Sequence, residues 1–301
     1  MHTIILAAFL EISRTVVSMC IASSLLFLIG LWAAKANLAQ ARGLDKVVAL
    51  SNLCFAIPLA GFGALHLSAA RGLMTMVPAY MPWHLFWAYF VGFALLAASL
   101  SIATKIQVRW SGLLFGCMMF LFVAMMDFPG TMAEPHNRIN WVLLLRELSF
   151  GAGGWILAGD AMATKGGPGG KLITLGRIVI GIAAIFYGLE HFLYPANVPG
   201  VPLEKLIPAW IPGHIVISYL TGTILLVAGV GILLGKKTRM AATYLGTWIV
   251  LLVVFIYGPI LIAALGNPST DVKVEGINYF LDTMLFAGVI LPLASATPRA
   301  E

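Results

Sequence analysis

This sequence predicts an all-α, polytopic transmembrane bundle, and three observations lead to that fold class. Of its 301 residues 60% are hydrophobic and only 10% charged, where soluble domains carry about a quarter charged residues. Apolar runs near the roughly 20 residues that cross a bilayer recur from end to end, leaving no room for a soluble domain. A segment containing four of these runs occurs twice.

Runs bounded by charge, Gly or Pro place nine helices near 13–34, 47–68, 84–104, 110–128, 139–160, 173–194, 214–235, 240–265 and 276–296. The first stops at Lys35, and the second lies beyond Lys46. The third runs from His84 to the residue before Lys105, and the fourth from beyond Arg109 to just short of Pro129. Arg138 and Asp160 bracket the fifth, Lys171 and Pro195 the sixth, Gly213 and Gly235 the seventh. Arg239 precedes the eighth, which ends at Gly266, and the ninth lies between Glu275 and Pro298. Residues 1–12 extend the first helix or lie along the interface. They are read as uncleaved, since Met1-His2-Thr3 offers no basic n-region and Glu11 and Arg14 interrupt the apolar run.

Orientation follows from the basic residues. Alternate connections hold Lys35, Arg42, Lys46, Lys105, Arg109, Lys165, Lys171, Arg177, Lys236, Lys237, Arg239 and Arg299, twelve of the eighteen. Arg71, Arg138, Lys205 and Lys273 occupy the other side, while Arg14 and Arg146 fall inside spans. The positive-inside rule then puts the N-terminus outside and the C-terminus in the cytoplasm of a bacterial inner membrane. The net charge of +6 is thus a matter of topology rather than nucleic-acid binding. Cys20, Cys54 and Cys117 lie in separate apolar segments without a C-x-x-C, which argues against dithiol chemistry.

The repeat reads Val77-Pro78-Ala79-Tyr80-Met81-Pro82-Trp83-His84 against Ile207-Pro208-Ala209-Trp210-Ile211-Pro212-Gly213-His214, an offset of 130 that Arg109/Arg239 and Gly116/Gly246 keep. Upstream, Gly63-Ala64-Leu65-His66 matches Gly188-Leu189-Glu190-His191 at 125; downstream, Ile139-Asn140-Trp141 matches Ile277-Asn278-Tyr279 at 138. Each copy spans four helices, an even number, so both enter the membrane in the same direction about a pseudo-two-fold axis along its normal. The chain divides into an extra N-terminal helix (1–45), a first unit (46–163), a Gly-rich flexible joint (164–172) and a second unit (173–301).

The four-helix unit, its Gly188, His191, Phe192 pattern, the Ile207-Pro208-Ala209-Trp210-Ile211-Pro212 turn and the Asn opening the fourth helix resemble the DoxX/DoxD family of bacterial membrane proteins. The resemblance covers roughly 50–160 and 173–297 and implies a redox or quinone-linked role with a membrane or periplasmic redox partner. Two units in one chain, with an additional helix, depart from the family pattern.

Ionisable groups inside a bilayer are costly and mark candidate sites. Here they are Arg146, Glu147, Glu190, His191, His66 and Asp282, with Glu11 and Arg14 less central. At about 1.5 Å per residue, all lie in the outer half of the membrane. Asn140 and Glu147 share one helix face, Asn278 and Asp282 another, and Tyr187, His191 and Tyr194 a third. The copies differ, because Tyr187, Glu190 and Tyr194 stand where the first has Phe62, Leu65 and Ala69. An asymmetric polar chamber open to the periplasm follows, with Arg146 paired to Glu147, Glu190 or Asp282. Glu190, His191, Arg146 and Glu147 are the candidate acid–base residues; His66, Tyr187, Tyr194, Asn140, Asn278, Asp282 and Trp210 would contact substrate.

The leading expectation is a quinone-linked redox component. A proton-coupled small-molecule or lipid transporter and a non-catalytic assembly partner are the alternatives. Quinone is the implied cofactor. Haem ligated by the pseudo-symmetric His66 and His191 is a lesser one, set against the more ordinary role of a hydrogen-bonded packing histidine. No metal site is expected. Pro78, Pro82, Pro208 and Pro212 read as re-entrant or interfacial corners, with Tyr80, Trp83 and Trp210 as interface anchors.

Overall fold

The structure, a computed structural model, describes residues 13–164, 166–201 and 204–298. Among them nine helices are long and apolar enough to cross a membrane: α1 (Arg14–Gln40), α2 (Ser51–Ser68), α3 (His84–Thr104), α4 (Val108–Ala133), α5 (Arg138–Ala163), α6 (Gly170–Leu193), α7 (His214–Leu233), α8 (Thr238–Leu265) and α9 (Thr270–Ala296). The protein is an all-α, multi-pass membrane protein. Glu11, Lys165 and Arg299 lie outside the described residues.

Several helices outrun their apolar runs, because a helix continues past the hydrocarbon until a cap or breaker stops it. The Ser13 hydroxyl accepts from the Thr15 N–H and starts α1, which continues six residues beyond its expected end at 34. The fourth helix was expected to stop short of Pro129, yet it passes through the proline by widening to a π-turn over Val123–Asp127. The Phe128 N–H reaches the Val123 carbonyl, five residues back, an adjustment that re-satisfies backbone groups near a proline. Pro259 does the same in α8 with a π-turn over Val253–Tyr257, 130 residues on.

That offset recurs in the backbone at three pairs of positions. Left-handed φ values occur at Trp83 and Gly213, Lys105 and Gly235, and Gln107 and Lys237. Helices α2–α5 and α6–α9 thus form two like units. The last helix of each packs on the first helix of the other, α5 on α6 and α9 on α2, while α5 and α9 meet each other at the centre. Helices α3, α4, α7 and α8 lie further out, and α1 rests mainly on α2.

Between apolar helices in lipid, close packing replaces the hydrophobic drive of water, and glycines set the close approaches. A Cβ on Gly288 of α9 would lie 2.6 Å from the Phe55 nitrogen of α2, and one on Gly176 of α6 2.8 Å from the Ala152 carbonyl of α5. Gly153 meets Val289 where α5 crosses α9, and α1 presents Gly30 to Leu53. The end of the Gly-rich segment expected to be a flexible joint makes a close backbone contact. Gly169 lies against the Gly159 backbone, closer than any side chain would permit, and Gly170 already opens α6.

Consecutive spans reverse direction, so connections alternate between two faces. One, the loop face, carries the long connections 69–83 and 194–213; the other, the basic face, carries the lysine-rich turns. The proline corners on the loop face form turns rather than re-entrant helices, because Pro78 and Pro82 flank a turn that ends in the left-handed Trp83. Tyr80, Trp83 and Trp210 are exposed there, as interface anchors require.

Candidate functional site

The centre of the polar constellation is Arg146, about two turns below the loop-face start of the deeply packed α5. Its guanidinium donates to Glu147 Oε1 from Nη2 at 2.9 Å and from Nε at 3.2 Å, and from Nη1 to Asp282 Oδ2 at 3.0 Å. The Asp282 bond crosses from α5 to α9 and ties the two units together where their last helices meet. Arg146 and Asp282, one from the last helix of each unit, therefore face one another. Asp127, the last residue of the π-turn in α4, lies within electrostatic reach of Arg146 and Glu147, and its Oδ2 is buried without a hydrogen-bond partner. One guanidinium thus sits among three carboxylates inside the spanning region, where each charge needs compensation.

The remaining expected residues surround this cluster unevenly. Tyr187 is fully buried within electrostatic reach of Arg146, but its hydroxyl donates to the Val142 carbonyl at 3.0 Å. Asn278, one turn before Asp282 on α9, has a buried Oδ1 with no partner. Asn140 binds the end of α4 through its amide to the Gly130 carbonyl at 3.3 Å.

Glu190, one of the three partners expected for Arg146, does not join it. It pairs with Arg138 at 2.8 Å, and that guanidinium in turn covers the Tyr194 ring at 4.2 Å from its centroid. Arg138 begins α5 on the loop face two turns from Arg146, so Glu190 at the end of α6 meets the nearer arginine. Tyr194 and Trp210 are both substantially exposed at that face rather than in the central cluster.

His191 is a buried, neutral crosslink. Its Nδ1–H donates to the Tyr187 carbonyl at 2.6 Å, and Nε2 accepts from the Gly200 N–H at 2.9 Å, which fixes the tautomer. Both ring nitrogens are used, so the haem reading fails at His191, which has no lone pair for iron. His66 repeats half of this pattern, with Nδ1 on the Phe62 carbonyl at 2.8 Å.

The Gly200 bond also closes the second unit. Residues 197–201 dip from the loop face so that Val198 and Val201 are buried, 1% and 2% exposed, and the Tyr257 hydroxyl of α8 donates to the Pro199 carbonyl at 2.9 Å. Gly200 holds φ +120, a conformation open to glycine, with Thr283 of α9 just beneath it. The chamber expected to open outward is therefore plugged over the second unit. The five residues by which the 130 offset exceeds 125 provide the plug, and the first unit has no counterpart.

Sequence reasoning missed Asp127, Tyr257 and the role of Arg138. A signal for the first two was present: at the offset of 130, Asp127-Phe128-Pro129 and Tyr257-Gly258-Pro259 coincide, each placing a polar side chain two residues before a proline. Compared with models of protein families, with curated protein sequences and with solved structures, the chain matches none of them. Fold and site together define a multi-pass helical membrane protein with an arginine–carboxylate cluster between two like units.

Proposed function

We propose that the chain is an inner-membrane component of a quinone-linked redox system of the DoxX type, with its N-terminus outside and its cluster in the outer half of the membrane. The observation that carries this reading is the excess of carboxylate over guanidinium, with Asp127 Oδ2 buried and unpartnered beside the Arg146–Glu147–Asp282 bonds. Such a group is suited to gain and lose a proton. A quinone reduced by two electrons takes up two protons, and a redox partner in the membrane or periplasm would supply the electrons. Asp127 and Asn278 offer hydrogen-bond capacity to a quinone oxygen, Arg146 holds the carboxylates in place, and the 197–201 plug limits water entry from the second unit.

Purification in a mild detergent, followed by extraction and quantification of quinone, tests this. The expected result is near-stoichiometric quinone in the wild type and severalfold less in Asp127→Asn. Absence of quinone from the wild type, or equal retention in the variant, overturns the proposal. A proton-coupled transporter is the second reading, favoured by the Arg146–Asp282 bond across the interface of parallel repeats. It requires solute flux in proteoliposomes that follows a pH gradient and is lost in Asp282→Asn.

A further inference from the structure

The basic face carries a construction that the proposed site does not use. Two clefts of ≈ 380 and ≈ 370 Å³ open there and share Asn37 and Ser295 as walls. The first is lined by Asn52, Lys105, Arg109 and Asp160 of the first unit together with Asn37 of the extra helix α1.

Comparison of the two units shows why the space exists. In the second, Arg177 of α6 donates to the Ile232 and Leu233 carbonyls at the end of α7, and its guanidinium lies against Gly235. The offsets of 125 and 130 put Asn52 in the place of Arg177, and Ile102 and Lys105 in the places of Ile232 and Gly235. Asn52 makes the same bond to the Ile102 carbonyl at 2.9 Å, but with a much shorter side chain. The volume a guanidinium fills in the second unit is thus left to the cleft in the first.

The charges around it are open. Lys105 and Asp160 both line the cleft and lie within electrostatic reach, yet among the described residues no ion pair joins them. Arg109 rests on the exposed Trp110 ring, 5.2 Å from its centroid, and likewise forms no ion pair. Lys105 holds a left-handed φ of 60° where the second unit uses glycine, so the first unit alone places a cation at this point of the turn. Trp110 and the exposed Trp32, with Lys35 over its ring, mark the headgroup level of the bilayer.

The geometry points to a binding site for the headgroup of a phospholipid in the leaflet on the basic face. Lys105 and Arg109 hold the phosphodiester, and Asp160 accepts from an ammonium or hydroxyl on the same headgroup. Basic pockets between helices at this depth are suited to lipid phosphates. The extra helix, which has no counterpart beside the second unit, supplies a further wall through Asn37.

Native mass spectrometry of the full chain tests the site, with phosphatidylethanolamine or phosphatidylglycerol added and glycerol 3-phosphate as the soluble probe. The wild type is expected to retain lipid. Removing both cations in Lys105→Gln/Arg109→Gln weakens retention roughly 30-fold, at about a factor of five for each cation. Asn37→Phe fills the cleft from α1 without changing charge and weakens retention comparably, which separates the site from any misfolding of the double variant. Equal lipid retention in Asn37→Phe and wild type, or binding of glycerol 3-phosphate as tight as that of lipid, overturns the proposal.

Discussion

Replacing Arg146 with Met preserves most of the side-chain length and removes the guanidinium that Glu147 and Asp282 share at 2.9 and 3.0 Å. Those carboxylates are only 17% and 16% exposed, so water does little to replace the lost partner. Breaking a buried pair by deleting one partner costs about 3–5 kcal/mol. The residual exposure argues for the lower end of that range, while uncompensated repulsion between Asp127 and Glu147 adds to the cost. Arg146→Met/Asp282→Leu removes one of the stranded charges as well and is expected to recover about half of the loss, since apolar replacement of a buried ion pair is often close to neutral. Reversible unfolding in mixed detergent micelles, followed by tryptophan fluorescence, gives both values. The reasoning is refuted if Arg146→Met lies within about 1 kcal/mol of the wild type, or if the double variant is no more stable than the single one.

Gly288→Ala is expected to lower stability by about 1–3 kcal/mol, because its Cβ would lie 2.6 Å from the Phe55 nitrogen and 2.7 Å from the Cys54 carbonyl carbon, and helix backbone cannot step aside. Gly72→Ala, with nothing within 4 Å, leaves the melting temperature unchanged. His191→Phe keeps the ring but strands the Gly200 N–H; limited proteolysis or amide exchange at 198–201 should reveal an opened plug while the helices stay protected.

The course of the chain through the membrane was legible because it depends on local quantities. Run length against bilayer thickness places a span, and proline or charge bounds it; the errors fell at the ends, where caps such as Ser13 and the π-turn before Pro129 overrode composition. The repeat was legible because related units keep backbone-demanding residues in register. Parts of the site were legible for the same reason, as intramembrane charge is scarce enough to mark Arg146, Glu147 and Asp282. Asp127 was not, since a single carboxylate at the edge of an apolar run looks like its boundary until the widened turn shows the helix continuing.

The sequence by itself placed the nine long apolar helices found among the described residues, the register of the repeat, and which residues had to find compensation inside the hydrocarbon. Tertiary structure alone decided that Arg146 meets Asp282 while Glu190 meets Arg138, and that residues 197–201 cover the second unit. Depth along a helix follows from counting residues. Which charges touch depends on the rotation and stagger of helices whose paired residues stand 52 and 136 positions apart, and those are set where Gly288, Gly153 and Gly176 allow backbones to meet.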